Sequence, residues 1–153
     1  PEGMADKSDA AGVWDDVAKE FLHLYSRGGR LIGVAGTDAA RSAAAADELA
    51  AALARAGQTV ERAHSDDGDE TALRVGPIAH FREDRLTDRV LVASGPAALL
   101  GENARGLWNF SVWQLAGDEQ PHTAASALID VTDPAHPTRR FADYCALPAA
   151  YGA

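Results

Sequence analysis

This chain of 153 residues has little of several things. It has one cysteine, Cys145, which excludes an intrachain disulfide and a cysteine-rich metal site. It is short of positive charge: 14 Lys and Arg stand against 23 Asp and Glu, a formal net charge of −9. An acidic chain without a basic patch argues against nucleic acid and against an anionic membrane surface as partners. No apolar run approaches the ~18 residues of a membrane span, and no leader peptide is visible. A cytoplasmic location is the expectation. Internal repeats and low-complexity linkers are missing too, so the chain reads as one domain with a sizeable core.

What is present is an apolar strand running into a small-residue loop and an alanine-rich helix: Arg30-Leu31-Ile32-Gly33-Val34-Ala35-Gly36-Thr37-Asp38-Ala39-Ala40-Arg41-Ser42. Strand, loop and helix start in that order are the layout of a phosphate-binding loop. Setting the pattern G-x-x-x-x-G-K-[ST] on it places Ala35 and Ala40 on the glycines, Arg41 on the lysine and Ser42 on the Ser/Thr. Only Ser42 matches. Alanine carries a Cβ that disfavours positive φ, arginine differs from lysine in shape and reach, and Asp38 sets a carboxylate where a triphosphate would lie. The alternative is an ordinary strand–turn–helix in which Thr37 or Asp38 serves the turn.

Along the chain, residues 1–8 are polar and expected to be loose, with Pro1-Glu2-Gly3 ahead of Met4 reading as a cloning remnant. Val13, Val17, Phe21 and Leu24 recur at helical spacing and predict a helix from Asp9 to about Arg27, stopped by Gly28-Gly29. Strands are expected at 30–35, 58–63, 89–96, 110–116 and 127–132, and a helix at 41–56. Between Thr71 and Asp88 the pattern allows a short strand at 71–75 and a helix or loop from Ile78 to Leu86. Short helices are expected at 97–103 and 138–147, and 148–153 is a tail. Strands alternating with helices predict a parallel sheet covered on both faces.

Several residues bear on chemistry. Asp66, Asp67, Asp69 and Glu70 follow the second strand at the sheet's carboxyl edge, and offer oxygen ligands to a divalent cation or form a solvated acidic loop. His64 with Asp66, and His122 with Asp133 and His136, match no zinc spacing and read as surface histidines. Ser94 before Gly95 lacks a G-x-S-x-G context. Cys145 reads as a packed residue, Trp14, Trp108 and Trp113 as core or interface anchors, and Arg139-Arg140 beside Phe141 as a solvated helix start.

The element order, Arg30 to Gly36, the acidic Asp66-Asp67, the strand Val90–Ser94 with the following Gly95-Pro96, Leu107 to Trp113 and Val131 to Pro137 together resemble the uridine kinase-like branch of P-loop nucleoside kinases, in reduced form. The resemblance implies a three-layer α/β fold with a five-stranded parallel sheet in the order 2-3-1-4-5 within residues 9–147. It implies ATP and Mg²⁺ as cofactors, with Gly36, Thr37, Ala39, Ala40, Arg41 and Ser42 around the nucleotide phosphates, Ser42 at the metal, and Asp66 or Asp67 as catalytic base. The chain departs from the family at both glycines and the lysine. Ser94 stands where a metal-associated glutamate belongs, the nucleoside-binding helices are largely missing, and Gly117 to Thr123 replaces an arginine-bearing lid. The expectation is a protein inactive or weak as a kinase, binding a small phosphate-like anion, a nucleotide or a protein partner. An active phosphotransferase and a non-enzymatic homo-oligomeric interaction module are the alternatives.

Overall fold

The computed structural model describes residues 2–84, 87–122 and 124–141. Helix α1 (Glu2–Leu24) leads into β1 (Gly29–Gly36), α2 (Ala39–Arg55) and β2 (Thr59–His64). A broken helical segment follows: α3 (Glu70–Leu73), a π turn (Arg74–Ile78) and α4 (Ala79–Phe81). Then come β3 (Arg89–Pro96), two 3₁₀ turns (Ala97–Leu100 and Arg105–Leu107), β4 (Phe110–Leu115), β5 (Ala127–Asp130) and β6 (Thr138–Arg140). The strands form one mixed sheet in the order β2-β3-β1-β4-β5-β6, parallel except for the antiparallel β5–β6 pair.

Alternation along the strands divides the core. On the front face, Ile32, Val34, Val90, Val92, Phe110, Val112 and Ile129 pack under α1 and α2 with Trp14, Val17, Phe21, Leu49 and Leu53. On the rear face, Leu31, Leu91, Trp113, Leu115 and Leu128 meet the short helical pieces through Leu73, Ile78, Phe81, Leu99 and Leu107. Period-2 side-chain direction alone assigns each residue its layer. The front layer carries long helices. The rear layer is thin, and the β4–β5 connection carries no helix.

Local chemistry sets the element ends. α1 stops at Leu24 because Arg30 reaches back from β1, its guanidinium donating to Tyr25 O at 2.8 Å and Gly28 O at 2.9 Å. Gly28 takes a φ of +79°, which suits glycine. Asp69 caps α3 by accepting from Ala72 N–H at 3.0 Å. Pro77 lies inside the π turn, where its missing N–H denies the helix an ordinary i→i−4 bond to Leu73.

Five expectations need correction. The sheet has six strands and is mixed, not five and parallel. Residues 138–140, expected to open a helix, form β6, because their backbone pairs with Leu128 to Asp130. α1 begins at Glu2, not Asp9, so the segment expected to be loose is helical. Residues 71–75 are helical because Asp69 caps a helix start there. The helix expected over 97–103 shrinks to a single 3₁₀ turn that ends at Leu100. Cys145, Leu86, the end of the expected 138–147 helix and the tail lie outside the described residues.

Candidate functional site: the turn between β1 and α2

Only Thr37 and Asp38 separate β1 from α2. Asp38 is the N-cap, extended at φ −113° and ψ 109°, with its carboxylate accepting from Arg41 N–H at 3.0 Å. Its carbonyl accepts from Ser42 N–H, also at 3.0 Å. Two N–H groups of the helix start are therefore already used within the turn. No residue between Ala35 and Ser42 has positive φ, since among the described residues that conformation occurs only at Gly28, Gly57, Gly68 and Gly117. A wide loop that curls its amides around an anion needs such angles.

The space beneath the turn is filled by Gln114 from β4. Gln114 is fully buried. Its Nε2 donates to Asp38 O at 3.0 Å and to Ser42 Oγ at 3.1 Å, and its Oε1 accepts from Arg41 Nε at 2.8 Å. Gly36 makes the approach possible, because a Cβ there would lie 2.2 Å from Gln114 Nε2 and 2.6 Å from its carbonyl oxygen.

Arg41 is likewise occupied. Its Nη2 lies 2.5 Å from Glu119 Oε1. Glu119 also accepts from Ala116 N–H at 3.0 Å and is hydrogen-bonded by the Thr37 side chain. Burial pushes the Glu119 carboxyl up, but the bonds from Thr37, Ala116 and Arg41, with the Arg41 charge, outweigh it and hold it below the usual carboxylate range. Gln114 and Glu119 thus join Thr37, Asp38, Arg41 and Ser42 in one closed network. Ser42 is fully buried within it, and presents no surface to a Mg²⁺ ion in this arrangement.

The two carboxylates proposed as base sit elsewhere in their own loop. Asp67 Oδ1 accepts from Asp69 N–H at 3.0 Å and from Ser65 Oγ at 3.4 Å, so it shapes the turn. The Asp66 side chain is 99% exposed, with its Oδ1 3.4 Å from His64 Nε2. His64 Nδ1 in turn lies 2.7 Å from Ser94 Oγ. Serine, histidine and aspartate are therefore in line, a juxtaposition the spacing of these residues does not announce. It lacks the access that nucleophilic chemistry requires: Ser94 is fully buried, and Arg62 Nη2 contacts its hydroxyl at 3.2 Å. Arg62 is a structural tie, bonding Asp47 at 2.8 Å, Val92 O at 2.9 Å and Ala63 O at 2.6 Å.

Asp69 caps α3 and Glu70 pairs with Arg74 at 2.6 Å. Asp133 pairs with His136 at 3.0 Å, while His122 packs its ring against Trp113. Among the described residues no group of three or more His, Cys, Asp or Glu side chains is placed to hold a metal ion. Among them no helix is long and apolar enough to cross a membrane.

Gln114 had one signal in the sequence, a polar residue on the face otherwise formed by Phe110 and Val112. Glu119 had none, sitting in a polar loop. Compared with protein-family models, curated proteins and solved structures, the chain matches none.

Proposed function

We propose that this chain is a catalytically silent relative of P-loop nucleoside kinases that serves as a binding domain and not as a phosphotransferase. The observation that carries the reading is Gln114, whose amide occupies the ground beneath the β1–α2 turn and bonds Asp38, Arg41 and Ser42 together. Phosphoryl transfer is almost wholly positioning and charge neutralisation by loop amides, a lysine or arginine, and Mg²⁺. Here the cation at the lysine position is neutralised by Glu119, the hydroxyl at the metal position is buried, and Asp38 adds a carboxylate to the turn. Each feature opposes a bound triphosphate, and a site so arranged has no use for ATP.

The test is thermal and calorimetric titration of the whole chain with Mg-ATP, Mg-GTP, phosphate and sulfate. A ligand at about a hundred times its dissociation constant stabilises by ~2.7 kcal/mol, several degrees for a domain of this size. No shift with any of them is the expected result. Mg²⁺-dependent stabilisation by a nucleotide, abolished by Arg41→Ala, would overturn the reading in favour of an active enzyme using Arg41, Ser42 and Asp66 or Asp67.

A further inference from the structure

The rear face holds a second place with ligand chemistry, where the β4–β5 connection leaves the sheet without a helix. A cavity of about 240 Å³ opens there, lined by Leu100, Arg105, Trp108, Ser111, His122 and Ser126 among others, and none of its lining residues is acidic. In a chain with 23 Asp and Glu that is a marked local reversal of charge. The larger cleft by α3 is the contrast, with Asp67, Asp69, Glu70 and Glu102 in its wall.

Three features fit one ligand class. The first is a stacking wall. Trp108 lies flat on β1, since a Cβ at Gly33 would stand 2.8 Å from each of the indole atoms Cδ1, Cδ2 and Cε2. The indole N–H is fixed by donation to Leu99 O at 2.9 Å. With one face on Gly33, the ring is half-buried and forms part of the cavity wall. The second is an uncommitted cation. Arg105 is exposed and its side chain makes no ion pair or hydrogen bond among the described residues, whereas Arg41, Arg55, Arg62, Arg74, Arg89 and Arg139 each pair with a carboxylate. The third is hydroxyl donors. Ser126 Oγ accepts from Ser111 N–H at 3.0 Å, and Ser111 Oγ accepts from Ser126 N–H at 3.1 Å. Both oxygens thereby spend a lone pair on backbone, and their O–H protons remain. The 3.4 Å contact between the two oxygens consumes at most one of these protons. At least one hydroxyl is left to donate.

We propose that this cavity binds a small planar ring bearing a carboxylate, the ring stacked on Trp108 and the carboxylate held by Arg105 and the Ser111–Ser126 pair. An aromatic face, a guanidinium and a spare hydroxyl proton recognise such a ligand, and the volume admits a single ring system and not a nucleotide. The inference deepens the reading of a binding domain, yet lies on the opposite face of the sheet from α2 and is tested by a ligand that carries no phosphate. Failure here leaves the nucleotide result standing, and the reverse holds as well.

The probe is benzoate, with benzamide as its uncharged counterpart, followed by tryptophan fluorescence on the whole chain. Trp14 is buried on the other face of the sheet, so a change in emission reports Trp108 in the cavity wall and Trp113 behind His122, and a Trp108→Phe variant separates the two. Saturable quenching by millimolar benzoate is expected, with benzamide at least about tenfold weaker, since losing a charge-assisted contact costs on the order of 1.4 kcal/mol. Arg105→Ala should weaken benzoate by a similar factor while leaving benzamide unchanged, and Arg105→Lys should recover part of the loss. Arg105 is exposed, so these variants should melt as the parent does. The proposal is overturned by absence of saturable quenching, by equal affinity for the two probes, or by an Arg105→Ala variant that binds benzoate as the parent does.

Discussion

Replacing Gln114 by alanine tests the closed turn directly. The substitution removes two donations, to Asp38 O and Ser42 Oγ, and one acceptance from Arg41 Nε. Each such bond contributes roughly 1 kcal/mol net, more where a partner is charged. The buried side chain also leaves a void whose lining relaxes only in part. Against this, Arg41 retains Glu119 and is a quarter exposed, so water can serve its freed N–H. The sum is about 3 kcal/mol. For a chain of this length, 1 kcal/mol moves the midpoint by about 2–4 °C, so Gln114→Ala should melt roughly 6–12 °C lower. Urea denaturation should show a lower midpoint with an unchanged slope. Gln114→Glu discriminates further. It keeps the shape and the acceptor for Arg41, but sets carboxylate oxygen against Asp38 O and brings a second negative charge beside Glu119. It should therefore be least stable at neutral pH and improve on mild acidification, as the new carboxyl protonates. A Gln114→Ala variant that loses less than about 1 kcal/mol would show that the amide merely fills space, and would refute the reasoning.

Two further substitutions probe the same network. Gly36→Ala should cost about 2–4 kcal/mol, since its Cβ meets Gln114 Nε2 at 2.2 Å and the Gln114 carbonyl oxygen at 2.6 Å, and the backbone cannot swing away; combining it with Gln114→Ala should cost less than the sum, which a double-mutant cycle in urea would read. Glu119→Gln tests the charge. The folded Glu119 carboxyl titrates below its ordinary value of ~4.3, so its stabilisation is fully present above that value and is lost as pH falls through the lower folded one. The stability gap between parent and Glu119→Gln should therefore be constant near neutrality and close under acid; a gap that persists unchanged well below pH ~4 would contradict the assignment of the ion pair.

The parts of this fold that could be read from the sequence are those that local burial dictates. Leu31 to Ala35 and Val90 to Ala93 lie in the middle of a parallel sheet, covered on both faces, and so appear as unbroken apolar runs. β6 is the opposite case. Thr138, Arg139 and Arg140 carry no strand pattern, and extend only because Leu128 to Asp130 offer a free edge and Glu20 of α1 holds Arg139 at 2.9 Å. The second contact spans 119 positions, and no local window of sequence contains it. The rear helices were obscured for a related reason: Pro77 and β-branched Val75 weigh against helix until tertiary packing of Leu73, Ile78 and Phe81 overrides them. At the turn, the strand–turn–helix layout and a part for Thr37 or Asp38 in the turn were legible. Its closure was not, because Gln114 is brought to Ser42 across 72 positions by the adjacency of β1 and β4.

Closure also changes what any anion would find at the turn. For an anion to sit on the amides beneath α2, Gln114 must leave Asp38 and Ser42, and Arg41 must part from Glu119. If that network is worth the ~3 kcal/mol worked out for Gln114 alone, the open arrangement is populated below about 1%, and every ligand that requires it binds more than about a hundredfold more weakly than its contacts allow. Changing Ala35 and Ala40 toward the glycines of the phosphate-binding pattern would leave that cost in place, since Gln114 sets it through Asp38, Arg41 and Ser42. On the proposed reading, what opposes a phosphate here is less the alanines at Ala35 and Ala40 than what fills the space: a buried amide from β4 bonded to Asp38, Arg41 and Ser42.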